Sequence, residues 1–158
     1  MEYNAFRQEE NILIHTRIID APRDLVWEVW TNPEHIKEWW GPDGFSLTTT
    51  SMQVEPGKTW DFLMHGWGKD WDNKIEYIEV VKPSLLSYKH SGKDVDYDFL
   101  VTVSFEEVEG KTLLTMKSIF KSKELIDELN RKVNAIEGGK QTLNRLQNYL
   151  KVLTDLNS

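Results

Sequence analysis

The sequence predicts a single α+β domain: a strongly curved antiparallel sheet wrapped around one long C-terminal helix, with an apolar cavity between them. Three observations point there. Across residues 46–120 the apolar side chains recur with a period of two, as in strands half-buried against a core. Across residues 126–153 they step by threes and fours, as on one face of a helix. The chain also carries seven Trp, five Tyr and six Phe in 158 residues, an aromatic load that needs a large enclosed surface to receive it.

Ile12 to Asp20 reads as a strand, with Ile12, Ile14, Thr16 and Ile18 on one face. Asp20-Ala21-Pro22 ends it and opens a helix whose apolar stripe is Leu25, Val26, Val29 and Trp30. Asn32-Pro33-Glu34 repeats the start signal, with a capping Asn, Pro at the first helical position and an acid in the first turn. Gly41-Pro42 breaks this second helix just after Trp39-Trp40.

Ser46 to Val54 is the next strand, and Pro56-Gly57-Lys58 a turn. Thr59 to His65 then alternates, with Trp60, Phe62 and Met64 on one face. Gly66 to Asp70 reads as a loop, Lys74 to Val81 as a strand with two mixed faces, and Pro83-Ser84 as a turn into Leu85 to His90. The clearest strand is Tyr97 to Phe105, with Tyr97, Phe99, Val101, Val103 and Phe105 at every odd position. Glu109-Gly110-Lys111 turns it into Thr112 to Phe120, where Leu114, Met116 and Phe120 alternate.

Ser122 caps the last helix, whose stripe runs from Ile126 through Leu129, Val133, Ile136, Leu143, Leu146 and Leu150 to Leu153. Gly138-Gly139 interrupts the stripe. Such a pair kinks the helix, lets the sheet approach closely, or is a tolerated defect costing on the order of 1 kcal/mol per Gly. The order is one strand, two short helices, about six strands and a long helix, giving a sheet of about seven strands that coils around the only long amphipathic element. No repeat or linker divides residues 1–158.

The formal charge of −7, from 19 basic and 26 acidic residues, argues against nucleic acid as a partner, because phosphate contacts need a clustered basic face. Absence of cysteine excludes a disulfide framework, a zinc–thiolate site and a thiol nucleophile, and fits a reducing cytoplasm. Met1 to Asn11 has acids and no apolar stretch, unlike a signal peptide, and no run approaches the ~18 apolar residues of a spanning helix. The expectation is a cytoplasmic protein without membrane insertion.

The order of elements resembles the helix-grip fold of the START-like, birch-pollen-allergen-like superfamily (SRPBCC). Local stretches narrow the resemblance. Trp39-Trp40-Gly41-Pro42-Asp43-Gly44-Phe45 is similar to the WWGP-x-GF signature of the branch related to the activator of heat-shock chaperone ATPase, the AHSA-like branch. Pro56-Gly57-Lys58-Thr59-Trp60 resembles its PGG-x-W turn, and Met64-His65-Gly66 its MHG segment. Glu79 to Pro83 with Leu86 and Tyr88 resembles its EV-x-PP-x-x-L-x-Y segment. Gly139, Leu143, Leu146, Tyr149 and Leu150 follow its helix pattern. The resemblance covers about residues 12 to 153. Lys140 stands where that helix usually carries Trp, which would widen or polarise one end of the cavity; Lys58 replaces the second Gly of the turn.

Candidate ligand-binding residues are Trp39, Trp40, Trp60, Phe62, Met64, Tyr88, His90, Phe99, Val101, Val103, Met116 and Leu143. Aromatic rings with methionine make an adaptable apolar lining, although each residue could equally be plain core. Trp39-Trp40 reads either as the mouth of the cavity or as a plug between sheet and helices. Tyr88 and His90, if buried, need hydrogen-bond partners, from a ligand's polar head or from the protein. The four histidines (His15, His35, His65, His90) show no metal-ligand spacing, and neither a phosphate loop nor a G-x-S-x-G elbow is present. The acids Asp94/Asp96/Asp98 and Glu106/Glu107/Glu109 read as solvated charges. Trp67 and Trp71, if exposed, would mark a partner or homodimer contact.

The expected function is a binding module for a small, largely hydrophobic molecule, a carrier or sensor, with no cofactor and no catalytic constellation. The resemblance implies two alternatives. One is contact with a heat-shock chaperone, although the eukaryotic activators have a separate N-terminal domain for which this chain has no room. The other is a cyclase/aromatase- or hydrolase-like enzyme using the same cavity, with His90 and Tyr88 as its available polar groups.

Overall fold

Residues 4–92 and 98–156 are described by the computed structural model, and they form one eight-stranded antiparallel sheet with four helices. The strand not foreseen is β1 (Ala5–Glu9), a polar, mostly exposed edge with no hydrophobic alternation, which pairs with β2 (Ile12–Ile19) through Ala5↔Thr16 to Glu9↔Ile12. The other strands are β3 (Ser46–Met52), β4 (Thr59–Gly66), β5 (Lys69–Val81), β6 (Leu85–Gly92), β7 (Asp98–Val108) and β8 (Lys111–Ile119). Their order is β1-β2-β8-β7-β6-β5-β4-β3, so the first long strand closes onto the last and the meander coils behind them. Tyr97, Asp94 and Asp96 lie outside the described residues.

The buried face of β2 is not the isoleucine face but its opposite: Leu13, His15, Arg17 and Ile19. Arg17 is tolerated there because Nη1 donates to Asn144 Oδ1 (2.6 Å) and Gln147 Oε1 (2.8 Å) on the C-terminal helix. Residues 66–70 do not form a loop. Trp67 and Gly68, both at positive φ (55° and 77°), make a two-residue turn, and β5 begins at once with Gly66↔Lys69 and His65↔Asp70.

Helix α1 (Arg23–Thr31) buries Val26, Trp27, Val29 and Trp30, and sets Trp27 and Trp30 edge-on to Phe105 of β7. Asn32 caps α2 (Pro33–Ile36) by accepting from the Glu34 amide at 2.9 Å. This helix ends before the tryptophan pair, which sits in the turn that follows.

The C-terminal helix is two helices, α3 (Lys123–Val133) and α4 (Ala135–Leu156). Ser122 caps α3 as expected, its Oγ accepting from the Leu125 amide at 3.1 Å. The break is at Asn134, in the left-handed region (φ 52°, ψ 51°), with Asn130 Oδ1 accepting from the Ile136 amide across it. Gly138-Gly139 is therefore not a kink. It is a close approach: a Cβ on Gly139 would lie 3.3 Å from His15 Cε1. The two halves close two cores. Leu143, Leu146 and Leu150 of α4 complete the main one with the sheet and α1, while Ile126 and Leu129 of α3 pack with Leu13 and Phe120. Among the described residues no helix is long and apolar enough to cross a membrane.

Candidate ligand cavity

Strand register fixes which side chains share the concave face. One row runs His15, Met116, Val103, Leu86 across β2, β8, β7 and β6. The next runs Leu13, Ser118, Val101, Tyr88, Tyr77, ending on β5, and beside it on β7, β6, β5 and β4 lie Phe99, His90, Ile75 and Trp60. Between this face and the α3–α4 junction is a cavity of about 310 Å³, at the small end of the ~300–1,000 Å³ usual for ligand pockets. Its walls are mostly carbon.

Seven of the twelve expected residues line it: Trp40, Met64, Tyr88, His90, Phe99, Val101 and Met116. The other five are packed away from it. Trp39 is fully buried, with its indole N–H donating to the Val29 carbonyl at 3.1 Å. Trp60 and Phe62 stack on each other with ring centroids 3.8 Å apart, and Val103 and Leu143 are fully buried core. Alternation assigns a face but not whether a side chain on it meets open space or packed neighbours. Residues unforeseen on the lining include His15, Phe45, Ser118, Gly138 and Gly139. Pairing β2 with β8 would have found His15 opposite Met116, but that pairing is non-local and has no signature in either strand alone.

The tryptophan motif is held rather than free to swing. Arg145 Nη1 from α4 donates to the carbonyls of Gly41 (2.9 Å), Pro42 (3.0 Å) and Trp40 (3.4 Å). Gly41 takes φ +106°, and a Cβ there would collide with the Met64 methyl at 2.3 Å. Phe45, the end of the same motif, lies against Gly66, where a Cβ would fall 2.4–2.6 Å from three of its ring atoms. The WWGP-x-GF and MHG segments are thus one packing unit. The exposed part of the cavity rim is elsewhere, at Asp72 and at Trp67, which is 60% exposed on the β4–β5 turn and edge-on to Phe45 and Trp71.

The cavity's two imidazoles and its buried Tyr88 hydroxyl are held neutral. Burial holds His90 down to about 4, and its Nε2 lies 2.9 Å from Asn73 Oδ1, so the protein itself supplies that partner. Burial pushes the Tyr88 hydroxyl well above its ordinary range. His15 is held at about 4, first by burial and then by the Arg17 and Lys140 charges, and neither ring nitrogen has a hydrogen-bond partner. Lys140 does not line the cavity; its Nζ sits 4.7 Å from the Phe6 ring centroid. Among the described residues no three His, Asp or Glu side chains gather as metal ligands.

A curved antiparallel sheet gripping a C-terminal helix, with an apolar cavity between, defines a helix-grip protein. The chain belongs to the family of Activator of Hsp90 ATPase homolog 1-like proteins, whose model matches residues 20–151. Solved structures share the fold. A protein from Arthrobacter aurescens superposes with TM-score 0.87 at 21% identity, over 93% of this chain and 91% of its own. One from Mycobacterium smegmatis gives 0.83 at 21%, over 92% and 95%. One from Staphylococcus epidermidis gives 0.80 at 24%, over 93% of each. No curated protein matches the sequence.

Proposed function

We propose that this protein binds a small, largely hydrophobic molecule in the cavity between the concave sheet face and the α3–α4 junction, acting as a carrier or sensor. The observation that carries the reading is the cavity itself: about 310 Å³ walled by Trp40, Met64, Phe99, Val101 and Met116, with no charged side chain among the described residues except Asp72 at the rim. Apolar walls favour a ligand by removing its surface from water, at roughly 25 cal/mol per Å². With both cavity imidazoles held neutral and, among the described residues, no carboxylate shifting either, the lining serves binding better than acid–base chemistry.

The test is native mass spectrometry of freshly purified protein, compared with the denatured chain, together with tryptophan fluorescence during titration with lipids, aromatics and polyketides. Trp40 and Trp71 on the lining make the emission sensitive to occupancy. A co-purifying small molecule, or saturable quenching by one class, supports the reading. An empty protein whose fluorescence ignores every class removes it.

A further inference from the structure

The unpartnered His15 is the feature that the fold leaves unexplained. It is 3% exposed, lies on the cavity lining, and both its ring nitrogens lack a hydrogen-bond partner. A buried polar side chain in this condition is uncommon and destabilising, because its bonds to water are lost and nothing replaces them. Other buried polar or charged side chains have partners nearby: Arg17 donates to Asn144 on α4, Thr112 Oγ1 donates to the Ala21 carbonyl, and Ser87 Oγ accepts from the Glu79 amide.

The surroundings of His15 are shaped to leave it open on one side. Across from it α4 presents Gly139, with no side chain to bond or to block the ring: a Cβ there would lie 3.3 Å from His15 Cε1 and 3.4 Å from Nε2. Ser118 stands diagonally beside it on β8, also on the lining. A half-turn of the imidazole about Cβ–Cγ exchanges each nitrogen with a carbon at nearly the same place, so a nitrogen can be turned to the cavity without repacking.

We infer that His15, with Ser118 beside it and the bare Gly139 of α4 opposite, is the polar pole of the cavity, and that it selects an uncharged ligand bearing a hydroxyl group, an alcohol or a phenol, on an apolar body. This rests on the reading of the cavity as a ligand site. A neutral imidazole has one donor and one acceptor, and a hydroxyl is the smallest group that answers both. A carboxylate would be drawn by the Arg17 and Lys140 charges but would have to be dehydrated with neither cation reaching the lining to bond it: Arg17 is occupied by Asn144 and Gln147, and Lys140 lies over Phe6. An ammonium would meet those same two positive charges across a low-dielectric gap.

The experiment is a calorimetric titration of the wild type, His15→Leu and His15→Gln with three probes of one shape: naphthalene, 2-naphthol and 2-naphthoate. In the wild type 2-naphthol binds about tenfold tighter than naphthalene, the worth of one buried hydrogen bond, and tighter than 2-naphthoate. His15→Leu keeps the naphthalene affinity and loses the tenfold preference, and His15→Gln restores part of it. Equal binding of naphthalene and 2-naphthol, strongest binding of 2-naphthoate, or a preference that survives in His15→Leu overturns the inference while leaving the cavity reading intact. Binding of none of the three overturns both. Should His15→Leu fail to fold, ¹⁵N NMR of the wild-type imidazole decides: its nitrogen shifts move with 2-naphthol and not with naphthalene, and unmoved shifts overturn the inference.

Discussion

Gly66→Ala isolates the contact that joins the two signature segments. The backbone at Gly66 is not in the left-handed region, so alanine meets no conformational penalty there and the added methyl is the whole perturbation. That methyl would lie 2.4 Å from Phe45 Cε2, 2.5 Å from Cδ2 and 2.6 Å from Cζ. Ordinary contact begins near 3.4 Å, so the ring must retreat by about 1 Å, more than a packed interior yields by small adjustment. Phe45 is 8% exposed, and its other side is held by Trp67 at 5.2 Å between centroids. Overpacking of this kind costs about 1–3 kcal/mol, and expelling the ring altogether would cost about as much. The expected loss is about 2 kcal/mol, read as a lower urea midpoint with unchanged slope, followed by tryptophan fluorescence. Phe45→Ala removes the obstacle, so Gly66→Ala in that background costs less than about 0.5 kcal/mol. A single-variant cost below that figure, or equal costs in the two backgrounds, would refute the reasoning.

Other consequences follow from individual contacts. Arg145→Met deletes the donor to the Trp40, Gly41 and Pro42 carbonyls, and should lower stability by about 1.5–3 kcal/mol in the same urea assay; an unchanged midpoint would show the clamp to be idle. Asn134→Ala places a Cβ-bearing residue lacking Asn's local bonding at φ 52° and should cost about 1 kcal/mol, while Asn134→Gly is neutral or stabilising. The reverse ranking counts against the helix break. For pH, His15 and His90 sit at about 4 in the folded state against an ordinary 6.5, so between these values the unfolded chain binds protons that the folded chain does not. Their contribution to stability is complete above pH 6.5 and is lost as pH falls towards 4, at up to about 1.4 kcal/mol per unit for each imidazole. Urea midpoints of His15→Leu and His90→Leu, taken across that range, should each fall less steeply than the wild type; parallel slopes would contradict the assignment.

The sheet and its helices were legible because their signals are local: alternation in β4 and β7, the Asn32-Pro33-Glu34 cap, the Glu109-Gly110 turn. What escaped was set by partners distant in sequence. β2 shows its isoleucines on one face, yet the core takes the face with His15 and Arg17, because α4 supplies Asn144 and Gln147 to receive the guanidinium. The turn at Trp67 looked like a loop because its residues are polar or bulky, while its hairpin geometry depends on positive φ at both positions. The apolar step of threes and fours runs through Asn134 without interruption, since α3 and α4 each keep their stripes towards the sheet while facing separate cores. For the cavity, alternation chose the right face and over-assigned it. Trp60, Phe62 and Val103 share that face with Tyr88 and Met116, and only the packing of the helices and the tryptophan motif onto it separates wall from filling. His15 could not be read at all without the β2–β8 register.

The most direct test of a ligand in this cavity uses the methionines as reporters. Met64 and Met116 lie on its lining, and Met52 is partly buried in the same core but off it. With ¹³C-methyl methionine labelling, titration of 2-naphthol should move the Met64 and Met116 methyl signals saturably and together, leaving Met52 in place. Shifts confined to Met52, or no shift in any of the three up to the probe's solubility, would contradict the account.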